Sequence, residues 1–150
     1  MPVENPRQVS AFEYSSKFGP RPPCFSRAGL VEVVGERLLL VAGTASVCGE
    51  ESVHAGSLEA QLRETVVNLR AVVAEARRVD GVPHADDVGS CLKGVRATRV
   101  YYRRREDLAW LERSLPRELV AGAEVEYVLA DICRNELLVE IELLVDVARA

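Results

Sequence analysis

The chain has few aromatic residues, two histidines, and no run of charge of one sign long enough to dominate a surface. Phe, Trp and Tyr make up 5% of its 150 residues, which argues against a base-stacking surface. Net charge is -4, and the one basic cluster, Arg103-Arg104-Arg105, runs straight into Glu106-Asp107. That cluster reads as a solvated helix entrance or an anion contact, and no nucleic-acid partner is expected. No apolar stretch approaches the roughly 20 residues of a membrane span, and no signal-peptide core precedes the first polar residues, so no membrane association is expected. Cys24, Cys48, Cys91 and Cys133 show no CxxC spacing. A zinc site and a disulfide scaffold are therefore disfavoured, and reduced thiols in a cytoplasm are expected. His54 and His84 lack ligand partners at metal-binding spacing, so no metal is expected. There is no glycine-rich phosphate loop, and no Ser-His-Asp arrangement can be argued.

What is present suits one domain spanning residues 1–150, large enough to bury a core. Residues 1–27 read as an irregular arm, because Gly19-Pro20-Arg21-Pro22-Pro23 cannot be helical. Phe12, Tyr14, Phe18 and Phe25 sit in that arm, so it is expected to pack on the body. Ala28 to Val34 and Arg37 to Ala42 read as a hairpin turning at Gly35-Glu36. Residues 43–56 read as loop. Ser57 reads as an N-cap, and Leu58, Leu62, Val66, Leu69, Val73 and Ala76 follow at helical spacing, predicting a helix over 58–78. The segment Asp80-Gly81-Val82-Pro83 ends it, and 84–91 reads as a polar loop. A strand over 92–102, a short helix over 106–115, and strands over 124–132 and 138–147 complete a ββαβαββ order. The expectation is an α+β fold with two helices on one face of a five- or six-stranded sheet. Leu38, Val41, Val100, Ile141 and Leu143 supply apolar groups in both directions. A homo-oligomer that stacks sheets would cover the second face.

The chemistry concentrates in Ala130-Asp131-Ile132-Cys133-Arg134-Asn135-Glu136 and the strand after it. Charges inside such an apolar run are costly unless paired or used. Glu140 shares a strand face with Leu138 and Glu142, and two carboxylates at i and i+2 repel, raising one pKa. A carboxyl so raised can protonate a substrate near neutral pH. The alternative is a paired structural carboxylate. Cys133 beside Arg134 is either an activated thiolate or a small buried apolar group. Arg21 and Arg27 flank Pro22 to Ser26 and are either carboxylate-binding forks or surface ion pairs. Tyr101 and Arg103 offer a second anion contact or mark an ordinary strand end. Gly43-Thr44-Ala45-Ser46 reads as a loop whose small side chains leave room for a ligand.

These segments resemble a known family. The ββαβαββ order with a terminal Val-Glu-Ile-Glu strand resembles the RidA/YjgF (chorismate-mutase-like) fold. The closer resemblance is to the C-terminal catalytic domain of chorismatases, which split pyruvate from chorismate. It is carried by Phe18 to Ala28, Gly43 to Val47, Glu51 to His54, and Gln61 with Glu64-Thr65 and Asn68-Leu69. Val100 to Arg103, Ala130 to Arg134, and Leu137 to Glu142 complete it. Chorismatases are roughly twice as long, so a stand-alone single-domain version is expected.

The resemblance implies a homotrimer whose sheets form a central barrel, with ligand clefts between subunits and no cofactor. It implies that Arg21, Arg27 and Arg134 hold the substrate carboxylates and that Glu140 protonates the enolpyruvyl methylene. Cys133 falls where members making 3-hydroxybenzoate carry cysteine, and Ser46 falls at a small-residue position that helps set the product. Gly49-Glu50 stands where the family pattern has Gly-His. The neighbourhood Glu124-Val125-Glu126 lacks the arginine of imine deaminases. The expected function is chorismatase-like general acid catalysis in secondary metabolism. The alternatives are a cyclase, dehydratase or tautomerase on the same scaffold, or a non-catalytic ligand- or partner-binding protein.

Overall fold

The computed structural model describes residues 1–81 and 92–147. The predicted 84–91 loop, with His84 and Cys91, lies outside them. The elements are β1 (Pro2–Val3), β2 (Ala28–Val33), β3 (Glu36–Ala45), β4 (Val47–Cys48), β5 (Glu51–Ser52) and α1 (Leu58–Val79). They continue with β6 (Val95–Tyr102), α2 (Leu108–Ser114), α3 (Arg117–Val120), β7 (Glu124–Leu129) and β8 (Val139–Asp146). The fold is α+β, as expected, with a six-stranded sheet in the order β1-β2-β3-β8-β6-β7. Its pairs are antiparallel except β6 with β7, so the sheet is mixed.

Helix α1 forms where the apolar spacing places it. The Ser57 hydroxyl accepts the Ala60 N–H at 3.3 Å, supplying one of the missing first-turn partners. Leu62, Val66, Leu69, Val73 and Ala76 are buried on its inner side. Each such leucine or valine contributes about 1.5–3 kcal/mol relative to exposure. They join Val100, Leu111, Leu119 and Ile141 in one core, so all three helices lie on one face of the sheet. The same side of α1 also buries Gln61, Thr65 and Asn68, which an apolar stripe does not anticipate. Asn68 donates to the carbonyls of Ala45 and Val47 at 3.0 and 2.8 Å. Its own Oδ1 accepts from Arg7 Nε at 2.9 Å. One buried amide thus ties the end of β3, the start of β4 and the arm to the helix.

Several boundaries differ from expectation. The β2–β3 turn is Val34-Gly35, with Val33 opposite Glu36. Both turn residues have positive φ, 51° and 81°, as a two-residue hairpin turn of this hand requires. Strand β3 runs on to Ala45 because a bulge between Val41 and Thr44 keeps it paired with β8. The arm is less irregular than expected: β1 pairs with β2, and 3-10 turns cover Ala11–Glu13 and Ser16–Phe18. A third helix, α3, follows Pro116, and the Thr98 hydroxyl ties it to β6 by donating to Leu119 O at 2.6 Å. Strands β7 and β8 are not neighbours. Strand β8 pairs with β3 and β6, so residues 130–138 cross past the end of β6 rather than making a simple bend.

Along β8, Val139, Ile141, Leu143 and Val145 are buried in the core, while Glu140, Glu142, Leu144 and Asp146 are less buried and face the other way. Val41 and Val100 also face the helices, so the apolar supply to the second face is smaller than expected. Leu40 stands 49% exposed there. A cavity of about 870 Å³ opens on it, between Leu40, Arg99, Glu126, Glu142 and Leu144.

Candidate active site

A second cavity, of about 470 Å³, lies at the end of the sheet where β3, β8, the 130–138 crossover and the arm converge. Its floor is Gly43 and Glu140, and its sides include Cys133, Arg134 and Leu137. Arg27 and the arm residues Tyr14, Phe18, Pro23 and Phe25 close it. Tyr14, Phe18 and Phe25 of the arm form a wall of this cavity, whereas Phe12, expected to pack with them, is exposed.

Glu140 is half-buried and makes no hydrogen bond or ion pair with any described residue. It is therefore not the paired structural carboxylate that the sequence left open. Burial holds its pKa above the ordinary glutamate value, and the charge of Glu142 adds to the rise. Glu142 itself is anchored, accepting from Tyr101 Oη at 3.0 Å and from Arg99 at 3.4 Å. The Glu140 carboxyl rests in the bulge of β3. A Cβ at position 43 would lie 2.8 Å from Glu140 Cδ and closer still to Oε1.

Two guanidinium groups face the same space without a carboxylate partner among the described residues. Arg27 is 7% exposed. It donates to Val9 O at 2.9 Å and to Tyr14 Oη, and its Nε is buried with no partner. Its guanidinium lies 5.5 and 5.3 Å from the ring centres of Tyr14 and Phe25. Arg134 donates to Glu50 O at 2.8 Å and Ser52 Oγ at 3.1 Å. It stacks on Phe18 at 4.0 Å and on Tyr14 at 5.3 Å. Tyr14 thus stands between two cations. Each stacking contact contributes about 0.5–2 kcal/mol without cancelling the charge, as an ion pair would. The buried Arg27 guanidinium, with its Nε unpartnered, carries a charge that is costly to bury and that a bound anion would offset. Arg134 is half-buried and near enough to Glu50 and Glu136 to lower their pKa values.

The other expected site residues fall outside this cluster. Arg21 is exposed on the arm and does not line the cavity. Ser46 is fully buried, and its hydroxyl donates to Val53 O at 2.9 Å, so it shapes the β3–β4 corner rather than touching a ligand. Tyr101 anchors Glu142. Arg103 holds the crossover from outside, bonding to Asn135 O and, at 3.2 Å, to Asp131. Cys133 lies at the rim, but its thiol is pushed up by desolvation first and by Glu140 second, which outweigh Arg134. That rise argues against an activated thiolate, and Cys133 is exposed, so it is not the small buried apolar group either. Glu50 does not face the cavity with its charge. Its carboxylate accepts the Ser15 N–H and hydroxyl, both at 2.8 Å, and those bonds hold its pKa low. It fastens the arm to the β4–β5 hairpin.

Known proteins resemble this chain in both sequence and fold. The chain is 37% identical over 145 residues to a 3-hydroxybenzoate synthase of Streptomyces hygroscopicus, covering 93% of this chain and 42% of that protein. It superposes on a chorismatase crystal structure with TM-score 0.84 and 36% identity, over 97% of this chain and 43% of that one. Over nearly its whole length this chain is similar to the chorismatases. It spans less than half the length of these relatives. A RidA protein from an Antarctic Psychrobacter shares the fold over almost its whole length, with TM-score 0.65 at 16% identity and 99% of that chain covered. No family model matches the chain.

The raised Glu140 carboxyl makes a testable demand on pH dependence. A general acid at Glu140 would work only while protonated, so an activity that uses it would fall as pH rises through its folded-state pKa. The groups near it are Tyr101 and Glu142 from the sheet, Cys133 and Arg134 from the crossover, and Arg27 and Tyr14 beyond the cavity. Glu142→Gln removes the repulsion that helps hold the proton on Glu140. Its alkaline limb is therefore expected at lower pH than in the parent, as a kcat/KM profile would record. An unmoved limb would mean that Glu142 does not tune the acid.

Proposed function

We propose that this chain acts as a chorismatase-like enzyme of secondary metabolism on chorismate or a closely related cyclic dicarboxylate. The observation that carries the reading is one cavity lined by Glu140, unpaired and with its pKa raised by burial and by Glu142, and by two arginines that form no ion pair with a described carboxylate, Arg27 and Arg134. Two guanidiniums suit the two carboxylates of a dianion. Phe18, Phe25, Val47 and Leu137 suit its carbon ring. Glu140 gives its proton to the methylene carbon of the enol ether. The resulting oxocarbenium ion takes water, and the hemiketal collapses to pyruvate and the ring alcohol, returning a proton to Glu140. Proton transfer and water suffice, so no cofactor enters. The ring alcohol so formed is a dihydrodiol, and loss of one water from it, the second ring hydroxyl leaving with a ring proton, aromatises it to 3-hydroxybenzoate. The likeness to a 3-hydroxybenzoate synthase favours that product.

Glu50 would have favoured a neutral or cationic substrate, and hence a cyclase or tautomerase, had it faced the cavity. Its bonds to Ser15 take that support away. We further propose a cytoplasmic homotrimer in which the open sheet face, with Leu40 and Leu144, is covered by other copies. Light scattering after gel filtration tests the trimer, and a monomer would count against it. Incubation with chorismate and assay of pyruvate tests the function. Pyruvate release supports the reading, and a folded protein that releases none overturns it.

A further inference from the structure

Gln61, like Asn68, makes three side-chain hydrogen bonds. It sits in the first turn of α1 and is completely buried. Its Nε2 donates to Glu136 O at 2.8 Å and to His54 O at 3.2 Å. Its Oε1 accepts the Leu138 N–H at 2.8 Å. Both amide hydrogens and one carbonyl lone pair are thereby engaged. Two of these bonds grip backbone groups on either side of Leu137, which is 1% exposed and lines the cavity. The Leu137 N–H in turn donates to Arg134 O at 3.1 Å. The third bond holds His54, which follows the Ser52-Val53 segment and has φ of 62°. Arg134 reaches that segment through Ser52 Oγ. One carboxamide thus fixes both the backbone that carries Arg134 and the segment its guanidinium grips.

We propose that Gln61 is a positioning residue for substrate binding, acting through the Cys133–Leu137 segment to set the place of Arg134. This rests on the reading of the cavity as a dicarboxylate site. Glu140 is held differently, paired on β8 with Ala45 of β3 and Tyr101 of β6. Loss of Gln61 therefore moves the carboxylate-binding cation and leaves the acid in place. A residue that served stability alone would lower the melting temperature without changing the kinetics of the folded protein.

The test compares Gln61→Met, which keeps the length and loses the amide, with Gln61→Asn, which keeps the amide and loses its reach by one methylene. Two readouts are taken below the melting temperature. The first is KM and kcat for chorismate by pyruvate release, with an expected KM increase of about tenfold or more and little change in kcat. The second is hydrogen–deuterium exchange, with faster exchange expected over 130–138 and unchanged protection in the middle of α1. If the folded variants keep the parent KM, or keep the parent exchange over 130–138, the proposal is overturned. A loss confined to kcat overturns it as well. If the unsubstituted protein does not act on chorismate, the substrate reading has failed, and the exchange measurement still decides whether Gln61 holds this segment. Should Gln61→Met not fold, Gln61→Asn carries both readouts.

Discussion

Glu140→Gln is expected to remove turnover while leaving the protein folded. General acid catalysis typically contributes about 10²–10⁴-fold, so pyruvate release should fall by that factor. Glutamine has nearly the same shape and cannot donate a mobile proton. The stability side has a definite sign. The folded pKa of Glu140 lies above its unfolded value, so the folded state binds the proton more tightly than the unfolded chain does. Whatever stability this gives is present below the unfolded pKa and is lost as pH rises through the folded one. Above that window the carboxylate is ionised, desolvated and close to Glu142. The glutamine side chain of the variant carries no such charge, so the variant should melt at the same temperature as the parent, or higher, at neutral to alkaline pH. A thermal melt and a pyruvate assay on one sample suffice. If Glu140→Gln unfolds the protein at neutral pH, Glu140 is a structural residue. If turnover survives, the proton comes from elsewhere.

How much of this site the sequence shows depends on which face each residue meets. The alternation Val139-Glu140-Ile141-Glu142 is strict, and β8 is regular, so the opposed roles of its two faces could be read directly. On β3 the same reasoning fails. The bulge between Val41 and Thr44 inserts a residue and resets which side chains face which way. Ser46, read as a possible product-setting contact, therefore turns its hydroxyl inward to Val53, while Gly43 comes to rest against the acid. Arg27 and Arg134 lie 107 positions apart in the chain. They meet only because the 130–138 crossover passes one end of the sheet and the arm folds over it. That closure depends on Asn68, Glu50 and the aromatic stacking, none of which has a local pattern. Gln61, Thr65 and Asn68 did leave a signal. They recur at i, i+4 and i+7, the spacing of a buried helical face, among polar residues where apolar ones would suffice. Gln61 and Asn68 bond backbone groups that the sheet leaves unpaired, whereas the buried Thr65 hydroxyl has no partner among the described residues.

Gly43→Ala is expected to separate activity from stability more sharply than any other single change. The added Cβ would meet Glu140 Cδ at 2.8 Å and Oε1 more closely still, so one of them must move. The glutamate is the far end of a flexible side chain, whereas position 43 is fixed between paired residues of β3 and β8. The carboxyl therefore swings away and the sheet holds. Gly43 does not have a positive φ, so alanine meets no backbone strain there. Replacing an interior strand glycine relieves the folded chain of about 0.5–1 kcal/mol of conformational entropy cost. The expected protein is as stable as the parent or more so, with turnover lowered by about 10²-fold, the typical cost of displacing a reacting group by an ångström. The double variant Gly43→Ala/Glu140→Asp supplies the decisive control. Aspartate is one methylene shorter and withdraws from the new Cβ, so the pair should couple and lose less than the two single losses combined. Full additivity in the rate of pyruvate release would show that Gly43 does not seat the acid. A melting temperature well below the parent's would show that the sheet, not Glu140, gives way.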